Sequence, residues 1–208
     1  MSGRTLPGRI LALSPGDMPE GSAAELLRRA RAAVDAGLDS ILLREPGMSD
    51  RATLELLRSL RDVLGPDGWL GIHDRVHLAQ AGNADGVHLG FRSIPIPAAR
   101  AVLGGEVAIG FSAHAHDAPG AWSGADYLVF GPVFATPSKA GLLEPLGIEG
   151  LARGVRSTAI PIWALGGITH AEASAVVRTG CRGCAVRAAI LGQTDPAPAY
   201  ARLRDVLP

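Results

Sequence analysis

Short unbroken apolar runs recur along this chain, and between them apolar residues return every three or four positions. The runs fall at residues 10–14, 40–44, 69–72, 86–89, 107–111, 127–130, 162–165 and 184–187. Each is strand-length and none alternates apolar with polar, so each reads as a strand buried on both faces. The helical spacing predicts helices over 22–36, 49–63, 76–81, 97–103, 117–122, 147–156, 170–178 and 198–206. In the second of these, Leu54, Leu57, Leu60, Val63 and Leu64 share one face. Ser22, with Glu25 three residues on, is expected to cap the first. Eight strand–helix units in this length predict a closed (β/α)8 TIM barrel, class α/β, spanning residues 1–208 as one domain. An open doubly wound sheet is the rival, but no GxGxxG follows the first strand.

A barrel of this kind builds its site from the loops after its strands, and polar residues cluster there. The stretch YLVFGPVFATPSKAG, residues 127–141, reads as a buried strand delivering a loop that carries Thr136, Ser138 and Lys139. Two hydroxyls and an ammonium suit an anionic ligand. Other strand ends carry Arg44 and Glu45, then His73, Asp74 and Arg75, then Gly90, then Ser112 and His114. After the seventh strand come Gly166 and Gly167. After the eighth, Arg187, Ala188 and Ala189 lead into what reads as a short helix. Bare N–H groups and a helix N-terminus at these two loops favour a phosphate.

Composition narrows the function classes. Twenty basic and 20 acidic side chains cancel, which leaves no basic field for nucleic acid. The apolar start, residues 10–13, is far below the length of a membrane span or secretory signal, so a soluble cytoplasmic protein is expected. Cys181 and Cys184 form one CxxC pair, too few cysteines for a four-thiolate zinc site, and read as reduced structural thiols. Trp69, Trp122 and Trp163 read as packing residues. Homo-oligomerisation is left open.

The segments LLRE (42–45), IHDR (72–75), ADGVHLG (84–90), GFSAH (110–114), ADYLVFGPVFATPSKAG (125–141), ALGGI (164–168) and GCAVRAAI (183–190) together resemble the thiamine phosphate synthase and thiazole tautomerase superfamily. The resemblance runs nearly end to end. It implies a barrel that binds the phosphorylated, carboxylated thiazole precursor of thiamine, with its phosphate on the loops after strands seven and eight.

Two branches share that pocket. Synthases couple a pyrimidine diphosphate to the thiazole with magnesium, and typically carry Q-x-R-x-K, then Asn-Asp, then a further aspartate. At those positions this chain has Leu42, Arg44 and Pro46, then His73 and Asp74, then Ser93. Asp74 is the remaining magnesium candidate, should the chain be a synthase. These departures make the tautomerase the leading expectation, with no cofactor, and the synthase the alternative. The tautomerase moves a proton so that the thiazole ring becomes aromatic, which suits an imidazole. His114 is the expected acid/base, and Arg44, His73, Asp74, Ser112, Thr136, Ser138 and Lys139 the expected substrate contacts. Gly166, Gly167, Arg187 and Ala188 are expected at the phosphate. A metal cluster of His73, Asp74, His77 and His88 is a rival reading, and a non-catalytic thiazole phosphate sensor is another.

Overall fold

The computed structural model describes residues 4–115, 117–118, 120–136 and 143–207. Eight parallel strands close a barrel in sequence order: β1 (Ile10–Leu13), β2 (Ser40–Leu43), β3 (Trp69–His73), β4 (Gly86–Leu89), β5 (Ala108–Ala113), β6 (Tyr127–Phe130), β7 (Ile162–Leu165) and β8 (Gly183–Val186). Outside them lie α1 (Ala23–Asp35), α2 (Asp50–Leu64), α3 (Val76–Ala81), α4 (Ile96–Leu103), α5 (Gly147–Arg156), α6 (His170–Val177) and α7 (Pro196–Arg204). The expected (β/α)8 architecture is therefore present.

Two layers of apolar packing build it. Between strands and helices lies the larger core, including Leu26, Leu57, Leu60 and Val87. Inside the barrel, Leu11, Leu13, Leu42, Trp69, Tyr127, Val129 and Trp163 pack against one another. Tyr127 makes edge contacts to both indoles, with centroids 5.9 and 5.6 Å away. Strand glycines make room for these rings: a Cβ at Gly71 or Gly86 would overlap Trp69, and one at Gly110 would overlap Tyr127. The indole N–H groups leave through the barrel floor, donating to the carbonyls of Thr5 (3.1 Å) and Gly8 (2.8 Å). With the floor so filled, the space for a ligand is at the opposite end, above the C-terminal ends of the strands.

Three local expectations are corrected. No helix follows β5 among the described residues; this stretch forms turns, with Gly120 and Gly124 at φ +88° and +87°. Ser22 does not cap α1, because its hydroxyl donates to the Pro19 carbonyl instead. Glu25 is taken by Arg28 and Arg29. Finally, no helix begins at Arg187. The chain turns there, closed by bonds from Gly192 N to Arg187 O and Gln193 N to Ile190 O.

Candidate functional site

A cavity of about 690 Å3 opens at the C-terminal end of the barrel, within the range of about 300 to 1,000 Å3 usual for small-molecule sites. Arg44, His73, Asp74, Ser112, His114, Thr136, Gly166, Gly167, Arg187 and Ala188 all line it. Ser138 and Lys139 lie outside the described residues.

The β7 and β8 side is built from backbone. Gly166 and Gly167 sit at φ +106° and +64°, in the left-handed region that side chains disfavour. They also press against the loop after β6: an added Cβ would come 2.7 Å from the Pro132 Cα and 2.6 Å from the Ala135 carbonyl oxygen, respectively. Glycine is thus required there by packing as well as by the turn. The N–H groups of Gly167 and Ala188 find no backbone acceptor among the described residues and border the cavity.

The β2, β3 and β4 side carries charge. Asp74 is held at φ +68°, its N–H donating to the His88 carbonyl (3.0 Å), which sets its half-exposed carboxylate at the rim. His73 Nδ1 is 3.8 Å from that carboxylate. Burial nevertheless lowers the His73 pKa to about 4; Asp74 opposes the shift and Arg44 adds to it. The imidazole is therefore neutral at pH 7, and the contact is not an ion pair. Arg75 turns away, binding Thr53 Oγ1, the Met48 carbonyl and Asp50. Glu45 is buried below the rim, accepting from the N–H groups of Gly16 (2.8 Å) and Met18 (2.9 Å) and tying the loop after β1 to β2.

Between these sides lie Ser112 and His114. Ser112 Oγ is 2.9 Å from His88 Nε2, and His88 lines the cavity floor beneath it. Burial lowers the His88 pKa to about 3, with His73 and Arg44 adding to the shift. Its Nδ1 has no partner among the described residues, and neither has the Tyr127 hydroxyl. A neutral imidazole has one N–H, and an orphaned buried donor costs about 1–3 kcal/mol, so the proton belongs on Nε2. Nε2–H then donates to Ser112, whose own O–H is left for the cavity. His114 has an acid behind it: Asp117 Oδ2 accepts the His114 backbone N–H (2.7 Å), and Oδ1 is 3.7 Å from Nδ1. Residues 114–117 thus read H-x-x-D, a local signal for this pairing that the expected helix over 117–122 concealed.

The four-residue metal cluster does not assemble. His77 pairs with Asp50 (2.8 Å) and is not on the wall of the cavity that His73, Asp74 and His88 line. Among the described residues, no three His, Cys, Asp or Glu side chains could hold a metal together. Cys181 and Cys184 are free and buried, and burial pushes the Cys184 thiol up to about 12. No described helix is long and apolar enough to cross a membrane.

A family model described as thiamine monophosphate synthase matches residues 14–190. The chain belongs to that family. Membership in the thiamine monophosphate synthase family sets the chain in thiamine biosynthesis. It is 38% identical over 195 residues to a putative thiamine-phosphate synthase of Geobacter sulfurreducens, covering 92% of each chain. It is 40% identical over 179 residues to the thiamine-phosphate synthase of Albidiferax ferrireducens, covering 85% of this chain and 82% of the relative. The solved thiamine phosphate pyrophosphorylase from Pyrococcus furiosus superposes with a TM-score of 0.82 at 32% identity, covering 96% of this chain and 95% of that one. A 3-hexulose-6-phosphate synthase, TM-score 0.72 at 19% identity, shares the fold.

Proposed function

We propose that the protein is a transferase that joins a pyrimidine carrying a diphosphate leaving group to a thiazole phosphate, forming thiamine phosphate. One observation carries this reading: the cavity has two anion-receptive sides. Bare N–H groups and Arg187 stand after β7 and β8, while Arg44 and Arg92 stand after β2 and β4. In an eight-stranded ring β4 faces β8, so Arg92 opposes the β8 loop across the mouth, and Arg44, after β2, stands between the two. A reaction on one phosphorylated ring needs one such side, whereas coupling two needs both. The relatives' names point the same way, favouring the branch ranked second on sequence over the tautomerase ranked first.

In this reading the thiazole phosphate is held by the loops after β7 and β8, and the freed Ser112 hydroxyl meets an acceptor on the pyrimidine. The pyrimidine lies across the floor at His88 and Val129. The thiazole nitrogen lone pair forms the new C–N bond as the C–O bond to the diphosphate breaks, and the diphosphate leaves with that electron pair. Holding the two reacting atoms together replaces a bimolecular encounter with an oriented one. The reduced, buried thiols are consistent with the cytoplasm as the site of action.

Magnesium, which the family resemblance implies for coupling, finds a poor set of donors here. Such an ion needs carboxylate and other oxygen ligands in near-octahedral array. Among the described residues, Asp74 is the one carboxylate on the cavity wall. Ser93 Oγ accepts the Gly90 N–H (2.7 Å), and Arg44 and Arg92 line the same side. The described residues do not fit a magnesium site, and no step above passes through one.

Tautomerisation is the second reading, favoured by the His114–Asp117 arrangement on the cavity wall. One experiment separates the readings: the protein is given the pyrimidine diphosphate with thiazole phosphate, and separately the non-aromatic thiazole tautomer alone. Coupled product supports the transferase. Consumption of the tautomer alone overturns it in favour of the isomerase. Tight binding of thiazole phosphate with neither reaction supports the sensor.

A further inference from the structure

The chain as a whole is neutral, yet among the described residues the cavity wall carries three arginines, Arg44, Arg92 and Arg187, against one carboxylate, Asp74. None of the three arginines takes part in an ion pair among the described residues. Two of them stand on the side where metal ligands would be needed. Arg44 follows β2, with its Nη1 lying where a Cβ on Gly16 would be only 2.6 Å away. Its sequence neighbour Glu45 is buried and occupied by the Gly16 and Met18 N–H groups, so it does not neutralise the guanidinium. Arg92 follows β4 in a turn that Ser93 closes by accepting the Gly90 N–H. Its guanidinium stacks 5.5 Å from the centroid of Phe91, a ring left 78% exposed at the mouth.

We propose that Arg92 acts with Arg44 as a metal-free clamp for the diphosphate group of the second substrate. The identity of that substrate rests on the coupling reading above; the clamp itself rests on the arginines. A guanidinium offers a planar fork of donors that matches phosphate oxygens and cannot lose its proton. Two of them supply fixed positive charge where the leaving diphosphate gathers electrons as its C–O bond breaks. A cation brought to the same place would meet two like charges and a single rim carboxylate. Phe91 stacks against the Arg92 guanidinium and offers the mouth an aromatic face for a heteroaromatic ring.

The test is calorimetric titration of the full-length protein with inorganic pyrophosphate, once in EDTA and once in magnesium. Saturable binding in EDTA is expected, with magnesium leaving the affinity nearly unchanged. Arg92→Ser should weaken it by about 10- to 100-fold, the loss of a charge-assisted contact, and Arg92→Lys by less. Arg187→Ser should leave this site intact, which separates it from the β7–β8 side. Asp74→Asn is the sharpest arm. It removes the carboxylate that a metal would need, so the clamp predicts unchanged or tighter binding in magnesium, where a metal site would lose its affinity. Binding seen only with magnesium, or indifference to Arg92→Ser, would overturn the proposal. The two readings fail separately: pyrophosphate held in EDTA without any coupled product sinks the transferase and leaves the clamp. Magnesium-dependent coupling with no binding in EDTA does the reverse.

Discussion

The histidines around the cavity are chemically unequal because their surroundings differ. His73 and His88 are buried, with pKa values lowered to about 4 and about 3, whereas an unfolded histidine titrates near 6.5. Below about pH 6.5 the unfolded chain binds protons that the folded chain refuses, so stability is full above that value and falls as pH drops toward 4 and 3. Each histidine should contribute up to about 1.4 kcal/mol of loss per pH unit in that window. Urea unfolding at pH 7 and pH 5 checks this: His88→Gln should show a drop about 2 kcal/mol smaller than the unmutated protein. Equal drops would mean that His88 is not held neutral by burial. His114 lies on the cavity wall. His114→Asn should leave the fold intact and, if tautomerisation is the activity, slow it by about 10² to 10⁴, as loss of a general acid/base does. Coupling by the same variant should fall far less, since no proton is moved in forming the C–N bond.

At the scale of elements, the inner rings depend on residues without side chains. Gly110 on β5 faces the Tyr127 ring, and a Cβ there would overlap it. Gly110→Ala should therefore cost about 1–3 kcal/mol in urea unfolding, as overpacking does, and Gly110→Ala with Tyr127→Leu should recover part of it. No loss in the single variant would mean that the ring moves aside freely. The strands were legible because each is a continuous apolar run ended by a polar residue, a glycine or a change of period; β4, β6 and β7 coincide with their expected spans. The helix after β5 was not legible as absent, since residues 117–122 look permissive until Asp117 is seen holding the His114 N–H. Candidate site residues at strand ends were readable for a related reason: a parallel barrel sends every such end to one mouth. His88 was harder, because a histidine inside an apolar run shows which way it points only once its register against Gly110 is known. Arg92 was hidden too, since a loop arginine and a cavity arginine look alike before the turn at Ser93 is drawn.

On the whole molecule, charge is distributed against its average. Arg4 and Arg100 pair with Asp126 near the closed end of the barrel, and Arg61 pairs with Asp85, while Arg44, Arg92 and Arg187, with no ion pair among the described residues, line the open one. The barrel therefore presents a positive mouth on a neutral body, and a cleft of one sign focuses its field on approaching ligands of the other. Both substrates in the coupling reading are phosphorylated, so their capture should be salt-sensitive even though the net charge is zero. The Debye length is about 10 Å at 0.1 M salt and about 3 Å at 1 M, so adding salt screens long approach paths before it weakens close contacts. Raising ionic strength across that range should lower kcat/KM severalfold while changing kcat little. Arg92→Ser should flatten the dependence and Asp74→Asn should steepen it, because one removes and the other unmasks positive field. If kcat/KM is indifferent to salt, the guanidiniums do not steer substrate. If instead kcat falls in parallel, the added salt is disturbing the bound state rather than the approach to it.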